Sequence, residues 1–82
     1  MKIGDIFKIK ANTFVWVNGK VSSFSFIKRI FVAEDTIVFI VDDVTDKKNK
    51  IFMNSMPGHI YQVLDAHGML LYVKRSQLNH IK

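Results

Sequence analysis

Thr36-Ile37-Val38-Phe39-Ile40-Val41 is a β-favouring run without a polar face. A half-buried strand alternates apolar and polar residues, so continuous apolarity calls for cover on both faces. In a chain of 82 residues little material is left to supply the second cover.

Working outward from this run, turn signals recur at intervals suited to short strands, and no stretch carries a helical apolar period with caps. Asp5 to Lys10 alternates Phe7 and Ile9 against Lys8 and Lys10, which predicts a first strand with one basic edge. Thr13 to Val17 is a second strand, and Asn18-Gly19 before Lys20 is the preferred dipeptide of a two-residue hairpin turn. Lys20 to Val32 would run about 40 Å if straight, so a bend or bulge is expected at Ser22, Ser23 and Ser25. Ala33 to Asp35 turns the chain into the apolar run, and Lys50 to Met53 is expected to return beside it. Ile60 to Asp65, the turn Ala66-His67-Gly68 and Met69 to Lys74 form a closing hairpin. Ser76-Gln77-Leu78 reads as a short helical turn, with Leu78 and Ile81 facing inward.

The length fits one domain, residues 1–82, near the size at which a lone core gives only ~3 to 5 kcal/mol of net stability. The chain has no cysteine, so thiol staples and thiolate metal sites are excluded and a reducing compartment, the cytoplasm, is expected. No leader-like apolar segment follows Met1, and Ile37 to Val41 is far below the ~20 residues that span a bilayer. Twelve basic against seven acidic residues give a net charge of +5, which favours anionic surfaces. Lysine outnumbers arginine ten to two and Ile, Phe, Asn and Asp are plentiful, a bias that fits an AT-rich genome such as that of a low-GC bacterium or a large lytic phage.

Val63-Leu64-Asp65 through Gly68 to Leu71-Tyr72-Val73, followed by Ser76-Gln77-Leu78, resembles the terminal strands and single turn of SH3-like small β-barrels. Ile3-Gly4-Asp5-Ile6-Phe7-Lys8-Ile9 is similar to the glycine-aspartate entry into the first strand of KOW-type and related barrels, whereas the converging aromatics of a Tudor-like cage are not placed by this sequence. The resemblance implies an all-β fold, a small five- to six-stranded SH3-like antiparallel barrel with a short helical turn near the C-terminus. It further implies a module that binds protein or nucleic acid and does not catalyse. The aromatic-acidic loop and the tryptophan-proline pair of peptide-binding SH3 domains are missing, so their PxxP groove is not carried over. The second closely spaced KOW glycine is missing too.

If Ala33 to Asp35 is a hairpin pivot, Ile30 faces Val38 and Phe31 faces Ile37, which makes both sheet faces apolar. Either a strand or tail of the same chain covers the outer face, or a protein partner or second copy does. The interface candidates are Phe14, Trp16, Phe31, Phe39 and Phe52, with Trp16 either an anchor or a core residue. The leading expectation is a protein-interaction or regulatory module, of the kind a phage directs at host machinery. The alternative is a nucleic-acid-binding barrel using Lys8, Lys10, Lys28, Arg29, Lys74 and Arg75 against phosphates. Tyr61 and Tyr72 are candidate stacking platforms, and Lys47, Lys48 and Lys50 read as a solvated loop paired with Asp42, Asp43 and Asp46.

Catalytic constellations are missing from the sequence. Asp35 and Asp42 lie at opposite ends of one strand, ~23 Å apart, too far for paired acid–base work. His59, His67 and His80 lack metal-ligand spacing, and neither a phosphate-cradling glycine loop nor a nucleophile elbow is present. No cofactor, metal, membrane contact or small-molecule substrate is expected.

Overall fold

The computed structural model describes residues 2–21, 24–48 and 56–81, with side chains described outside 19–26. They form one antiparallel sheet: β1 (Ile6–Ile9), β2 (Thr13–Val21), β3 (Phe24–Val32), β4 (Thr36–Asp43), β5 (Ile60–Asp65), β6 (Leu70–Lys74) and β7 (Leu78–His80). One 3-10 turn (Thr45–Lys47) follows β4 and another (Arg75–Gln77) separates β6 from β7. The all-β class is as expected. The strand count is seven rather than five or six, and the sheet, ordered β3-β2-β6-β5-β4-β1-β7, is not closed into a barrel.

Two short connections force the sheet to curl. β1 and β2 stand four strand positions apart in the order, at least about 19 Å if the sheet were flat. Ile9 and Thr13 are only four residues apart and can span at most about 14 Å. The same holds for Val32 and Thr36, which join β3 to β4. Curling brings the two ends together: the side-chain amide of Gln77, just before β7, donates to the Thr13 hydroxyl (2.9 Å) and the Phe14 carbonyl of β2. Asn12, between β1 and β2, lies in the left-handed region, φ 58°, which asparagine tolerates better than most residues.

The concave face holds the main core. Alternate residues Phe7 and Ile9, Val15 and Val17, Val38 and Ile40, Tyr61 and Val63, and Leu71 and Val73 converge there with Leu78, and Ile30 and Val32 of β3 pack against them. The period-2 alternation of each strand gives this set directly.

Four expectations are corrected. The Asn18-Gly19 turn does not form: β2 continues through both residues, pairing Asn18 with Ile27, Gly19 with Phe26 and Val21 with Phe24. A nine-residue ladder outweighs a local turn preference, and the Asn18 side-chain amide is engaged by the Tyr72 hydroxyl at 2.9 Å. β3 pairs with β2 alone while β4 pairs with β1 and β5, so Ala33 to Asp35 is no hairpin pivot; of the sites expected to bend, Ser22 and Ser23 lie outside the described residues. The helical turn begins one residue early, at Arg75, and Leu78 starts β7 against β1. Ile81, expected inside, is 41% exposed. The expected strand Lys50 to Met53, with Phe52, lies outside the described residues. The closing hairpin matches its expected bounds except that its second strand starts at Leu70 rather than Met69, with Gly68 at φ 80° in a turn where Asp65 accepts from the His67 and Met69 amides. Among the described residues no helix is long and apolar enough to cross a membrane.

Candidate functional site

The convex face of β3-β2-β6 gathers residues from both lists of sequence candidates. Phe14 lies opposite Phe31, and Trp16 opposite Arg29, across the β2–β3 ladder, while Trp16 meets Tyr72 of β6. Two residues further along these antiparallel strands, Phe14 and Lys74 become neighbours. The Phe14 and Phe31 rings meet edge to face with centroids 5.2 Å apart, and remain 44% and 54% exposed. The Arg29 guanidinium sits over the Phe14 ring at 5.0 Å, and the Lys74 ammonium over the Trp16 ring at 5.5 Å. Such cation–ring contacts hold long side chains over the sheet at about 0.5 to 1 kcal/mol each where exposed.

Of the two roles expected for Trp16, anchor or core residue, its burial fits the core. Trp16 is buried with Val44, Ile60 and Tyr72, and Ile27 and Met56 pack against the cluster. This is a second, smaller core on the convex face, covered by chain that follows β4. Tyr61 and Tyr72 are likewise buried and offer no free ring face for stacking.

Gln77 fixes the register between this face and the end of β6. Its side-chain oxygen accepts from the Lys74 amide (2.8 Å), and its side-chain nitrogen donates to the Thr13 hydroxyl (2.9 Å) and to the Phe14 carbonyl. Sequence reading missed this role; the one available signal was a glutamine three residues after the strand end, where side chains cap a turn. Beside it, Pro57, Gly58, His59, Lys74, Arg75 and Ser76 line an open cleft of about 550 Å³. The Arg75 amide donates to the His59 carbonyl (3.1 Å), closing its floor.

Charge is segregated along the chain. No Asp or Glu occurs between Ile6 and Ala33 or from Ala66 onward, so β2, β3 and β6 carry none. The acids elsewhere are largely engaged: Asp35 with Lys8 (3.4 Å) and the Ala11 amide, Asp42 with Lys47 (3.0 Å), and Asp65 in its turn. Asp43 accepts from the Thr45 hydroxyl (2.6 Å) and amide (3.0 Å), and these bonds hold its carboxyl below the ordinary value, with His59 adding a smaller pull. Among the described residues only Lys8 and Lys47 have a carboxylate within ion-pair distance.

The remaining candidates do not join this face. Lys28 and Arg29 are adjacent in sequence and therefore project from opposite faces of β3. Lys8 lies on β1, opposite Ile37, and is spent on Asp35. Lys10 lies beside the second 3-10 turn through its amide bond to Gln77. Phe39 belongs to a separate cross-strand row, Ile6–Phe39–Leu64–Leu70, in which Ile6, Phe39 and Leu70 are 53%, 42% and 47% exposed. Among the described residues no three His, Asp or Glu side chains are grouped to hold a metal ion. No protein-family model, no curated protein and no solved structure matches the chain.

Proposed function

We propose that this chain is a non-catalytic binding module, a curled β-domain of SH3-like kind, that takes nucleic acid on the convex face of β3-β2-β6. The SH3-like reading is supported by the closing hairpin, the single 3-10 turn after it, and a last strand that returns to pair with the first. The nucleic-acid reading is carried by one observation: Arg29, Lys74, Phe14 and Phe31 converge on strands that hold no acid. Cations interleaved with exposed rings attract phosphates and offer apolar contact in the same few square nanometres. Arg75 extends the cationic surface along the cleft.

A second reading has its own observation. The row Ile6–Phe39–Leu64–Leu70, with Ile37 53% exposed beside it, is an apolar strip suited to a protein partner. One set of measurements addresses both. Fluorescence anisotropy with labelled mixed-sequence DNA and RNA at low and moderate salt is expected to give micromolar binding that weakens steeply with salt, and at least tenfold weaker binding for Lys74→Glu. Absence of binding at low salt refutes the first reading. Phe39→Glu is expected to leave nucleic-acid affinity unchanged while abolishing any self-association seen by sedimentation.

A further inference from the structure

We infer that the nucleic acid this face takes is single-stranded, with unpaired bases stacked on Phe14 and Phe31 and the backbone led along Lys74 into the cleft beside Arg75. The inference rests on the nucleic-acid reading and narrows it.

The rings come first. A duplex stacks its bases on one another and shows only their edges, so exposed aromatic faces on a sheet gain contact only from bases that are unpaired. Phe14 and Phe31 occupy directly opposed positions on adjacent strands, so they form a patch rather than two isolated side chains. Arg29 widens that patch, because a guanidinium plane held over a ring is itself a surface on which a base can stack. The Gln77 bond to the Phe14 carbonyl holds the platform against the second 3-10 turn.

The cations point the same way. A two-stranded ribbon that enters the major groove of a duplex lies between two backbones and is served by cations toward both. The β2–β3 ribbon instead sends Lys28 and Arg29 to opposite faces. On the ring-bearing face the cations run from Arg29 on β3, over β2, to Lys74 on β6 and then Arg75, a single line suited to one backbone. The cleft at the end of that line is lined by Lys74, Arg75, His59 and Ser76, donors suited to a phosphate oxygen, and by Pro57 and Gly58.

The test uses the intact chain with labelled oligothymidine and oligouridine of twelve nucleotides, a duplex of equal charge, and inorganic polyphosphate as competitor. Expected are at least tenfold tighter binding to single strands than to duplex, and weak competition by polyphosphate. Phe31→Ala and Phe14→Leu should each weaken single-strand binding about fivefold or more while leaving the salt slope unchanged. Arg29→Gln should lower the magnitude of that slope by about 0.7. Circular dichroism melts confirm that each variant is folded, and Phe14→Leu keeps apolar contact with β3 should Phe14 be needed for packing. Equal affinity for duplex and single strand, or full affinity in folded Phe31→Ala, overturns the inference while leaving nucleic-acid binding standing. No binding to any nucleic acid overturns both.

Discussion

Replacing Trp16 with alanine separates a core tryptophan from a surface anchor. Trp16 is 8% exposed and joins the hairpin to the closing strands through Ile60 and Tyr72, with Val44, Ile27 and Met56 around it. Truncating a buried tryptophan costs about 3 to 5 kcal/mol, because apolar surface is lost and the cavity collapses only in part. At about 0.05 to 0.15 kcal/mol per residue, a chain of this length holds about 4 to 12 kcal/mol in total. Trp16→Ala should therefore remove about a quarter or more of the folding free energy, and at the low end of that range leave little folded baseline in urea. Phe31→Ala, at a site 54% exposed, should cost about 1 kcal/mol or less. Far-UV circular dichroism is the suitable probe, since the variant lacks the only tryptophan. With a urea slope of about 1 kcal/mol per molar or a little more, the midpoint should fall by about 2 M or more. A Trp16→Ala midpoint within about 0.5 M of the parent would refute the second core, and the ring would then belong to a surface.

Gln77→Ala removes one accepted and two donated bonds, and should destabilise the chain by about 2 to 3 kcal/mol while speeding hydrogen exchange at the Lys74 amide. Unchanged exchange there would show that Gln77 does not hold the strand end. Thr45→Val removes the hydroxyl and disturbs the turn that lower the Asp43 carboxyl, so NMR titration should find it closer to the ordinary carboxylate value. The sign follows from linkage: a carboxyl lowered by folding adds stability above its unfolded value, and that stability is lost as pH falls through the folded one. The variant should thus show a flatter fall in stability on acidification. An Asp43 titration identical to that of the parent would assign the shift to another cause.

The concave core was legible because it depends on alternation within each strand, and Phe7, Ile9, Val38, Ile40, Leu71 and Val73 declare it one strand at a time. What depended on pairing between distant strands was not. Asn18-Gly19 carries a strong local turn signal, yet the gain from pairing β2 with β3 along nine residues overrides it. β7 is too short at three residues to show any period, and its existence follows from Ile9 and Phe7 needing an edge partner. The site was half legible. Phe14, Phe31, Arg29 and Lys74 could each be singled out by type and exposure, but divided between two functions, because only the Trp16–Tyr72 pairing brings β6 beside β2.

The surplus of apolar strand surface is resolved in unequal ways, and the inequality orients a partner. On the convex face, Trp16 and Tyr72 are covered by Val44 and Met56, and this covered strip lies along the strands between Phe14 and Lys74 at one end and Leu70 at the other. The two uncovered parts differ in charge. Asp5 and Asp65 adjoin Ile6 and Leu64 in sequence and so project from the other face, while Lys8, two residues from Ile6 and opposite Ile37, is neutralised by Asp35, so the Ile6–Phe39–Leu64–Leu70 row has no net charge at its rim. Phe14 and Phe31 are rimmed by cations alone. At physiological ionic strength fields decay over about 8 Å, less than two strand spacings, so each patch feels its own rim more than the net charge of the chain. A polyanion would therefore gain attraction at the aromatic end and none at the aliphatic one. That leaves the aliphatic row free for a protein contact while the first patch is occupied, and makes Phe39→Glu and Lys74→Glu independent in effect.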